Sequence, residues 1–231
     1  LYVTELIREA LRGNLLDKRR NSFIQIGGKL TRYPFEANLH GLPAEIIVEC
    51  VLGAAKATTS TAPRKATDFR TWIIETFGEG IARHYMIPYN RKIWKYELET
   101  MGVEWVSGRI PLPSLKDIVL GAIANQPKEF GPNARFWYPK RGGISAIPSA
   151  LAKKVRDISF ATKVVRIQAR KKGCELELEI GHKRLNKFFD AVISTVPLPE
   201  LVKMIEDAPT NVVSASERLV FNSALLMGFG Y

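Results

Sequence analysis

Residues 174–180 read Cys-Glu-Leu-Glu-Leu-Glu-Ile and give the clearest indication of the fold class. Apolar and acidic side chains alternate there with a period of two, which is typical of an antiparallel strand with one buried and one exposed side. An apolar-rich run at 164–169 precedes this stretch, and a basic turn at 170–173 joins the two. The pattern therefore predicts a β-meander with buried leucines and exposed glutamates: Leu176, Leu178, Glu175 and Glu177.

The rest of the chain is predicted to be mainly helical. Three- and four-residue spacing of apolar side chains predicts a long helix through Phe69 and Ile81, with Thr67 or Asp68 placed to cap its start. We expect Pro88 to end this helix. The other predicted elements are a β-hairpin over 22–35 around Gly27-Gly28, helices over 44–55, 114–124, 145–155 and 198–205, strands over 136–138 and 191–194, and a loop over 57–66. Because helices and antiparallel strands do not alternate in a regular βαβ order, the sequence predicts an α+β fold.

The composition excludes two broad classes of protein. With 231 residues, of which 46% are hydrophobic and 10% aromatic, the chain can bury a core and does not have the profile of a disordered protein. Its apolar runs are too short and too interrupted for a membrane span, and no signal-peptide pattern opens it. Two cysteines, Cys50 and Cys174, make neither a disulfide framework nor a zinc site with the three histidines, which predicts reduced thiols, no metal and a cytoplasmic protein.

The net charge of +11 raises the question of an anionic partner. Residues 151–187 hold eleven Lys or Arg residues against four Asp or Glu residues, so the positive charge is concentrated there. One interpretation is a solvated face that keeps the protein soluble. Another is a basic module that binds RNA or DNA, but the aromatic side chains are not interleaved with this run as a stacking platform requires. The sequence therefore disfavours a nucleic-acid partner.

Common catalytic motifs are absent from the sequence. Gly78-Glu79-Gly80 is the nearest match to a dinucleotide fingerprint, yet Arg83 stands at the third glycine position and the segment lies inside a helical pattern. There is no Walker loop, no nucleophile elbow and no plausible Ser/His/Asp set. We therefore expect any chemistry to depend on a cofactor, and the sequence assigns no catalytic side chain.

Three segments carry a resemblance to a known family. The first runs from Phe77 to Trp94 and contains Met-Ile-Pro-Tyr-Asn-Arg-Lys-Ile-Trp, the second is Gly-Pro-Asn-Ala-Arg-Phe-Trp-Tyr-Pro-Lys-Arg-Gly-Gly at 131–143, and the third is Phe-Asp-Ala-Val-Ile-Ser-Thr-Val-Pro at 189–197. In this order they resemble the flavin amine oxidase superfamily. The first two are most similar to members that are UDP-galactopyranose mutase-like or protoporphyrinogen oxidase-like.

The resemblance implies a helical substrate domain and an antiparallel sheet within a split Rossmann-type FAD-binding protein. It places a substrate-binding domain at 1–143, a middle segment of the FAD-binding domain at 144–210 and a strand returning to the substrate-domain sheet at 211–231. The N-terminal glycine fingerprint of the superfamily is missing, and the chain starts at Leu1 and stops directly after an apolar run. We therefore expect this sequence to be a piece of a longer protein, inactive by itself.

The resemblance also implies roles for individual residues. Arg141 matches an arginine that binds the substrate diphosphate in the mutases. Asn90 matches a position that faces the nucleotide part of the substrate, and Tyr89 is expected to stack on the substrate or donate a hydrogen bond to it. The cofactor FAD is expected at these residues: Gly142, Gly143, Val164, Thr195, Val196 and Pro197. The Arg-Gly-Gly stretch has a physical logic of its own, because glycines let the backbone approach a flat ring and an arginine offers two hydrogen bonds to an anion. A surface turn remains the alternative for that stretch, and a packed aromatic turn for Tyr89 and Asn90.

Two enzymatic functions are compatible with these residues. The first is the substrate-binding part of an FAD-dependent oxidoreductase that transfers a hydride from a small, possibly anionic substrate to the flavin. The second is a sugar-nucleotide mutase that uses reduced flavin without net redox change. The sequence determines neither the substrate nor the electron acceptor nor the oligomeric state.

Overall fold

The computed structural model describes residues 2–61, 66–125 and 134–227 and has an α+β fold. Two compact units divide it, Leu1–Ala150 and Leu151–Tyr231. Part of the predicted loop, residues 62–65, lies outside the described residues, as do residues 131–133 of the second family segment and the last residues of the chain. The assignment of the segments 1–143, 144–210 and 211–231 to substrate and cofactor domains stays a prediction.

The first unit combines helices with two small antiparallel sheets. Its elements are α1 (Tyr2–Leu11), β1 (Leu15–Arg19), β2 (Phe23–Ile26), β3 (Lys29–Arg32), a 3-10 helix (Phe35–Ala37), α2 (Ala44–Thr59), α3 (Phe69–Ile81), a π-helical turn (Ala82–Met86), α4 (Ile87–Trp94), a second 3-10 helix (Leu98–Thr100), α5 (Leu115–Ile123), β4 (Arg135–Pro139) and α6 (Ala146–Ala152). Strands β2 and β3 form the predicted hairpin, while β4 pairs with β1. Helix α2 extends to Thr59, so the first residues of the predicted loop are helical.

Helix α3 begins where its capping pattern predicts. The Asp68 side chain accepts a hydrogen bond from the Thr71 backbone N–H at 2.9 Å, which satisfies one of the free donors at the helix start. The prediction that Pro88 ends this helix is wrong, because the chain continues through the π-helical turn into α4. Pro88 is the second residue of α4, directly after the π-helical turn.

Helices α2 and α3 cross at three glycines. A Cβ atom on Gly80 would overlap the Glu49 backbone carbonyl, and one on Gly78 would overlap the carbonyl of Gly53. Gly78 also has a φ of 79°, which kinks α3 at this point. The main core of the unit lies around this crossing, with the fully buried side chains Phe35, Leu39, Phe69, Ile73, Phe77, Ile81 and Leu98. The glycines thus allow the close approach that buries the core.

The second unit contains the predicted β-meander. Strands β5 (Thr162–Ala169), β6 (Cys174–Ile180) and β7 (Lys183–Phe189) form one antiparallel sheet with β6 in the middle, followed by helices α7 (Leu198–Met204) and α8 (Thr210–Glu217). Leu176 and Leu178 are 6% and 7% exposed, which confirms their predicted burial.

The glutamates of β6 are less exposed than their alternation predicts. The Glu177 side chain is 17% exposed and contacts Arg166 on β5 at 3.1 Å and Arg184 on β7 at 3.1 Å. Arg170 forms an ion pair with Glu175 in the same way. The polar side of the sheet is therefore a row of carboxylates between Arg166 and Arg170 on one side and Arg184 on the other, which a single-strand pattern does not show.

Two strand predictions in this unit differ from the structure. Residues 191–194 were expected to form a buried strand, but they have no strand pairing and are exposed, with Ile193 at 96%. A strand over 211–231 is absent from the described part, since helix α8 includes 211–217 and residues 218–227 have no regular secondary structure. An apolar run becomes a strand only where a neighbour completes its hydrogen bonds, and the described residues offer none to these runs.

Burial in the meander leads to a stability prediction. We expect Leu178→Ala to lower the free energy of unfolding by about 2–5 kcal/mol, because it removes a buried side chain and leaves a cavity. Glu179→Ala on the same strand should cost less than about 1 kcal/mol, since its carboxylate is partly exposed and lies 3.4 Å from Arg184. Urea unfolding of both variants measures the difference, and equal midpoints would contradict the assignment of the two sides.

Candidate functional site

The Arg141-Gly142-Gly143 turn follows β4 and is anchored by Asn14. The Asn14 Oδ1 accepts a hydrogen bond from the Arg141 backbone N–H at 3.0 Å, and its Nδ2 donates to the Arg141 carbonyl at 3.1 Å. The Arg141 side chain is exposed and has no hydrogen-bond or ion-pair partner among the described residues. Asn14 therefore fixes the backbone while the guanidinium stays available to an anion.

The two glycines of this turn have left-handed backbone conformations. Their φ angles are 82° at Gly142 and 57° at Gly143, a region that favours glycine over other residues. A Cβ atom at Gly143 would meet the Tyr138 hydroxyl at 3.7 Å, which is ordinary contact. The backbone conformation, and not a lack of space, therefore explains why glycines occupy these positions.

Tyr89 is the outer member of a stack of three aromatic rings, which we call the ring stack: Phe35, Tyr85 and Tyr89. The ring centroids lie 4.9 Å apart between Phe35 and Tyr85 and 5.1 Å apart between Tyr85 and Tyr89. Tyr89 is 40% exposed, whereas the other two are buried. The π-helical turn carries Tyr85, and α4 begins directly after it. The ring stack thus presents one partly exposed aromatic ring that a flat ligand group can contact.

Asn90 is buried and is bonded within its own helix. Its Nδ2 donates to the Met86 carbonyl at 2.8 Å, and its Oδ1 accepts from the Trp94 indole N–H at 3.2 Å. These bonds fit the packed-turn alternative as well as a substrate role, so the substrate assignment of Asn90 stays a prediction.

Glu36 lies beside the ring stack and was missed by the sequence reasoning. The residue is 3% exposed, and its Oε2 has no hydrogen-bond partner among the described residues. Burial raises the pKa of this carboxyl to about 7. The negative charge of Glu36 in turn raises the pKa of Tyr33 and of Tyr85, after burial as the larger cause in both cases. A carboxylic acid within the apolar run Tyr-Pro-Phe-Glu-Ala was the signal available in the sequence.

The remaining predicted residues belong to the second unit. Val164 is half-buried on β5 opposite Leu178, next to a β-bulge. Strand β5 is an edge strand, and the Glu206 N–H bonds to its Ile167 carbonyl at 3.0 Å. Thr195, Val196 and Pro197 form an exposed loop that leads into α7.

The structure brings some of the predicted residues together and leaves others apart. Tyr89 and Asn90 are neighbours on α4. No hydrogen bond, ion pair or ring contact in the described part of the chain joins them to Arg141. Val164 and Thr195, which are predicted to contact the cofactor, belong to the other unit.

A large cavity lies elsewhere, between α2 and α3. Its volume is about 570 Å³, and its lining includes Glu49, Lys56, Glu79 and Arg83. At its rim the Glu49 carboxylate accepts from Arg83 and from His84, whose Nε2 lies 2.6 Å away. Both hydrogen bonds hold the pKa of the exposed Glu49 below its usual value, His84 being the larger cause. None of the residues predicted from the sequence lines this cavity.

The basic stretch at 151–187 is partly neutralised by neighbours. Arg166, Arg170 and Arg184 each form an ion pair with a glutamate of β6. This pairing favours the solvated-face interpretation over a nucleic-acid surface. Within the described ranges, no group of three His, Cys, Asp or Glu side chains is placed to hold a metal, and no helix has the length and apolar character to cross a membrane.

Comparison with known proteins gives two results. The family model described as flavin containing amine oxidoreductase matches residues 15–230. The crystal structure of reduced UDP-galactopyranose mutase is similar to this chain, with a TM-score of 0.80 and 26% sequence identity over 94% of this chain and 48% of that one. The chain therefore spans about half the length of that protein.

Proposed function

The chain belongs to the flavin containing amine oxidoreductase family, and from that premise we propose that it forms the substrate-binding part of an FAD-dependent oxidoreductase. Hydride acceptance from a substrate C–H bond is the chemistry that flavin supplies when bound. The chain's own residues bind and orient the substrate. The observation that carries the proposal is the Asn14-anchored turn with its available Arg141 guanidinium.

The residues present fit a flavin. Gly142 and Gly143 carry no side chain of their own, which leaves their backbone accessible to a flat ring, and the nearest neighbours of a Cβ added at these positions would be the Ala146 Cβ at 3.4 Å and the Tyr138 hydroxyl at 3.7 Å. In the second unit, β5 is an edge strand, so one side of its backbone near Val164 is open to a ligand. The exposed loop of Thr195 to Pro197 offers backbone groups of the same kind. We assign these residues to FAD, and Arg141, Tyr89 and Asn90 to a small anionic substrate of a cytoplasmic enzyme.

An absorbance spectrum and an anaerobic reduction test this proposal. We expect the protein purified with all its segments to show flavin bands, which bleach when the correct substrate is added without oxygen. Absence of flavin from a folded protein would contradict the proposal.

A second function, that of a sugar-nucleotide mutase, is favoured by the similarity to the mutase structure. The two functions differ in their redox balance. A mutase converts its substrate only when the flavin is reduced, and the flavin remains reduced after turnover. Conversion of UDP-galactopyranose by dithionite-reduced protein, without flavin oxidation, would favour the mutase.

Arg141 provides a residue-level test. Arg141→Lys keeps the charge but loses the planar, two-pronged donor, so we expect substrate affinity to fall about tenfold or more, or ~1.4 kcal/mol. Flavin content should not change. Arg109→Lys, at another exposed arginine of the same unit, is the matched control and should leave both properties unchanged. If Arg141→Lys loses flavin, the residue belongs to the cofactor site, and if it changes nothing, the stretch is a surface turn.

A further inference from the structure

Glu36 is held in a fully buried segment at the base of the ring stack. It lies in the 3-10 helix Phe35–Ala37, in which all three residues are at most 3% exposed. The neighbouring Phe35 is the innermost ring of the stack, with its centroid 4.9 Å from that of Tyr85. An outward movement of this segment would therefore also displace the Phe35 ring, which packs against Tyr85.

The charged and titratable groups around Glu36 do not neutralise it. The pKa of Tyr33 and of Tyr85 is raised, so both are uncharged at neutral pH, and Arg20 is the nearby cation. The Arg20 guanidinium lies over the Tyr33 ring at 3.9 Å and donates to the Ser22 hydroxyl, and it forms no ion pair with Glu36.

Helix α5 also packs against this segment. It carries Lys116, which is exposed, and Asp117, whose carboxylate binds Ser114 in the helix cap. Neither side chain places a positive charge beside an ionised Glu36.

An ionised carboxylate in this position lacks both solvent and a counterion. Transfer of a charge into such surroundings is costly unless it is paired and hydrogen-bonded. The charged form gains hydration if the segment Phe35–Ala37 moves outward, and this movement withdraws Phe35 from Tyr85. The neutral carboxyl gains little hydration free energy from this movement. The two protonation states therefore favour two arrangements of the ring stack.

We propose that Glu36 gates the ring stack by its ionisation: the neutral carboxyl keeps Phe35, Tyr85 and Tyr89 assembled, and the carboxylate disassembles them. This inference rests on the proposed function in one respect, since it makes ligand binding at Tyr89 depend on pH. Burial raises the pKa of Glu36 to about 7, so we expect the change between the two arrangements near this pH. Affinity at Tyr89 then falls by up to roughly tenfold per pH unit above the midpoint.

The first test needs no ligand. We expect the near-ultraviolet circular dichroism of the aromatic side chains to change between about pH 5.5 and about pH 8.5, with a midpoint near 7. Tyrosine ionisation does not contribute in this range, because the pKa of Tyr33 and of Tyr85 is raised. Glu36→Gln should abolish the change, and Glu45→Gln, at an exposed carboxylate on α2, should retain it. The same change in Glu36→Gln, or none in the wild type, overturns the proposal.

An infrared titration keeps the proposal testable if Glu36→Gln does not fold. The band of a protonated carboxylic acid should disappear from the folded wild-type protein as the pH rises through the same range. A band that persists at the upper end, or that is absent at the lower end, overturns the proposal.

A binding titration separates the gate from the proposed function. With UDP-galactopyranose as the probe, we expect wild-type affinity to fall above the midpoint and Glu36→Gln affinity to be independent of pH. A parallel fall in both proteins overturns the gate. If the probe binds at no pH while the circular dichroism changes as expected, the gate stands and the sugar-nucleotide substrate is wrong.

Discussion

Gly80→Ala should lower the free energy of unfolding by about 3 kcal/mol or more, because overpacking typically costs about 1–3 kcal/mol and costs most where the overlapped atoms cannot move aside. The added Cβ would overlap the Glu49 backbone carbonyl and the Cys50 backbone nitrogen, and backbone atoms of α2 cannot rotate away as a side chain does. Alanine has the better helix propensity by about 1 kcal/mol, which offsets only a part of the clash. Helices α2 and α3 would have to separate, which exposes the core around Phe77 and Ile73.

Gly102→Ala is the matched control for this prediction. A Cβ on Gly102 would meet the carboxylate end of Glu104, which is flexible and can move aside. Its cost should be less than about 1 kcal/mol. Urea unfolding of the two variants gives the comparison, and a Gly80→Ala protein as stable as the wild type would show that the helices do not approach this closely.

The crossing also explains a motif that the sequence left without a role. Gly78-Glu79-Gly80 was excluded as a dinucleotide fingerprint because it lies in a helical pattern, and the exclusion agrees with its place inside α3. These glycines let α3 pack closely against α2 at Gly53, which is far from them in sequence. A close approach between two helices leaves no periodic pattern in either of them, so the sequence predicted the helices but not how they pack.

Sequence patterns predicted the elements that depend on interactions between residues close together in the chain. The β2–β3 hairpin, helix α3 and the meander follow from turn glycines, a capping aspartate and a period of two. Residues 191–194 have the composition of a strand, but a strand needs a partner that the sequence pattern cannot supply. The same limit applies to the exposed run after α8.

The candidate site depends on contacts that are distant in sequence. Asn14 and Arg141 are separated by 127 positions, and only the pairing of β1 with β4 brings them together. The ring stack depends on the π-helical turn, which places Tyr85 against Phe35. A sequence reading that ends the helix at Pro88 cannot predict this geometry. The family resemblance predicted roles for Arg141 and Tyr89, whereas the residues that hold them in place emerged from the structure.

The free energy of unfolding should fall as the pH rises from about 4.5 to about 7, with Glu36 as the cause. Burial raises the pKa of this carboxyl from 4.5 to about 7. Below the lower value it is neutral in both states, and between the two values the unfolded chain gives up a proton that the folded chain keeps. The stabilisation is therefore complete at low pH and is lost as the pH rises through the folded pKa. A shift of this size corresponds to about 3 kcal/mol.

Glu36→Gln should remove this dependence, because the amide has nearly the same shape and no charge at any pH. We expect the variant to be more stable than the wild type at about pH 8, by up to about 3 kcal/mol. The carboxyls whose pKa is lowered lose their contribution only as the pH falls below the window: Glu49, Asp68 and Glu175. Urea unfolding across the window measures the effect, and Glu45→Gln should keep the wild-type slope. A Glu36→Gln profile parallel to that of the wild type would mean that Glu36 is ionised in the folded protein, with a partner or solvent beside it.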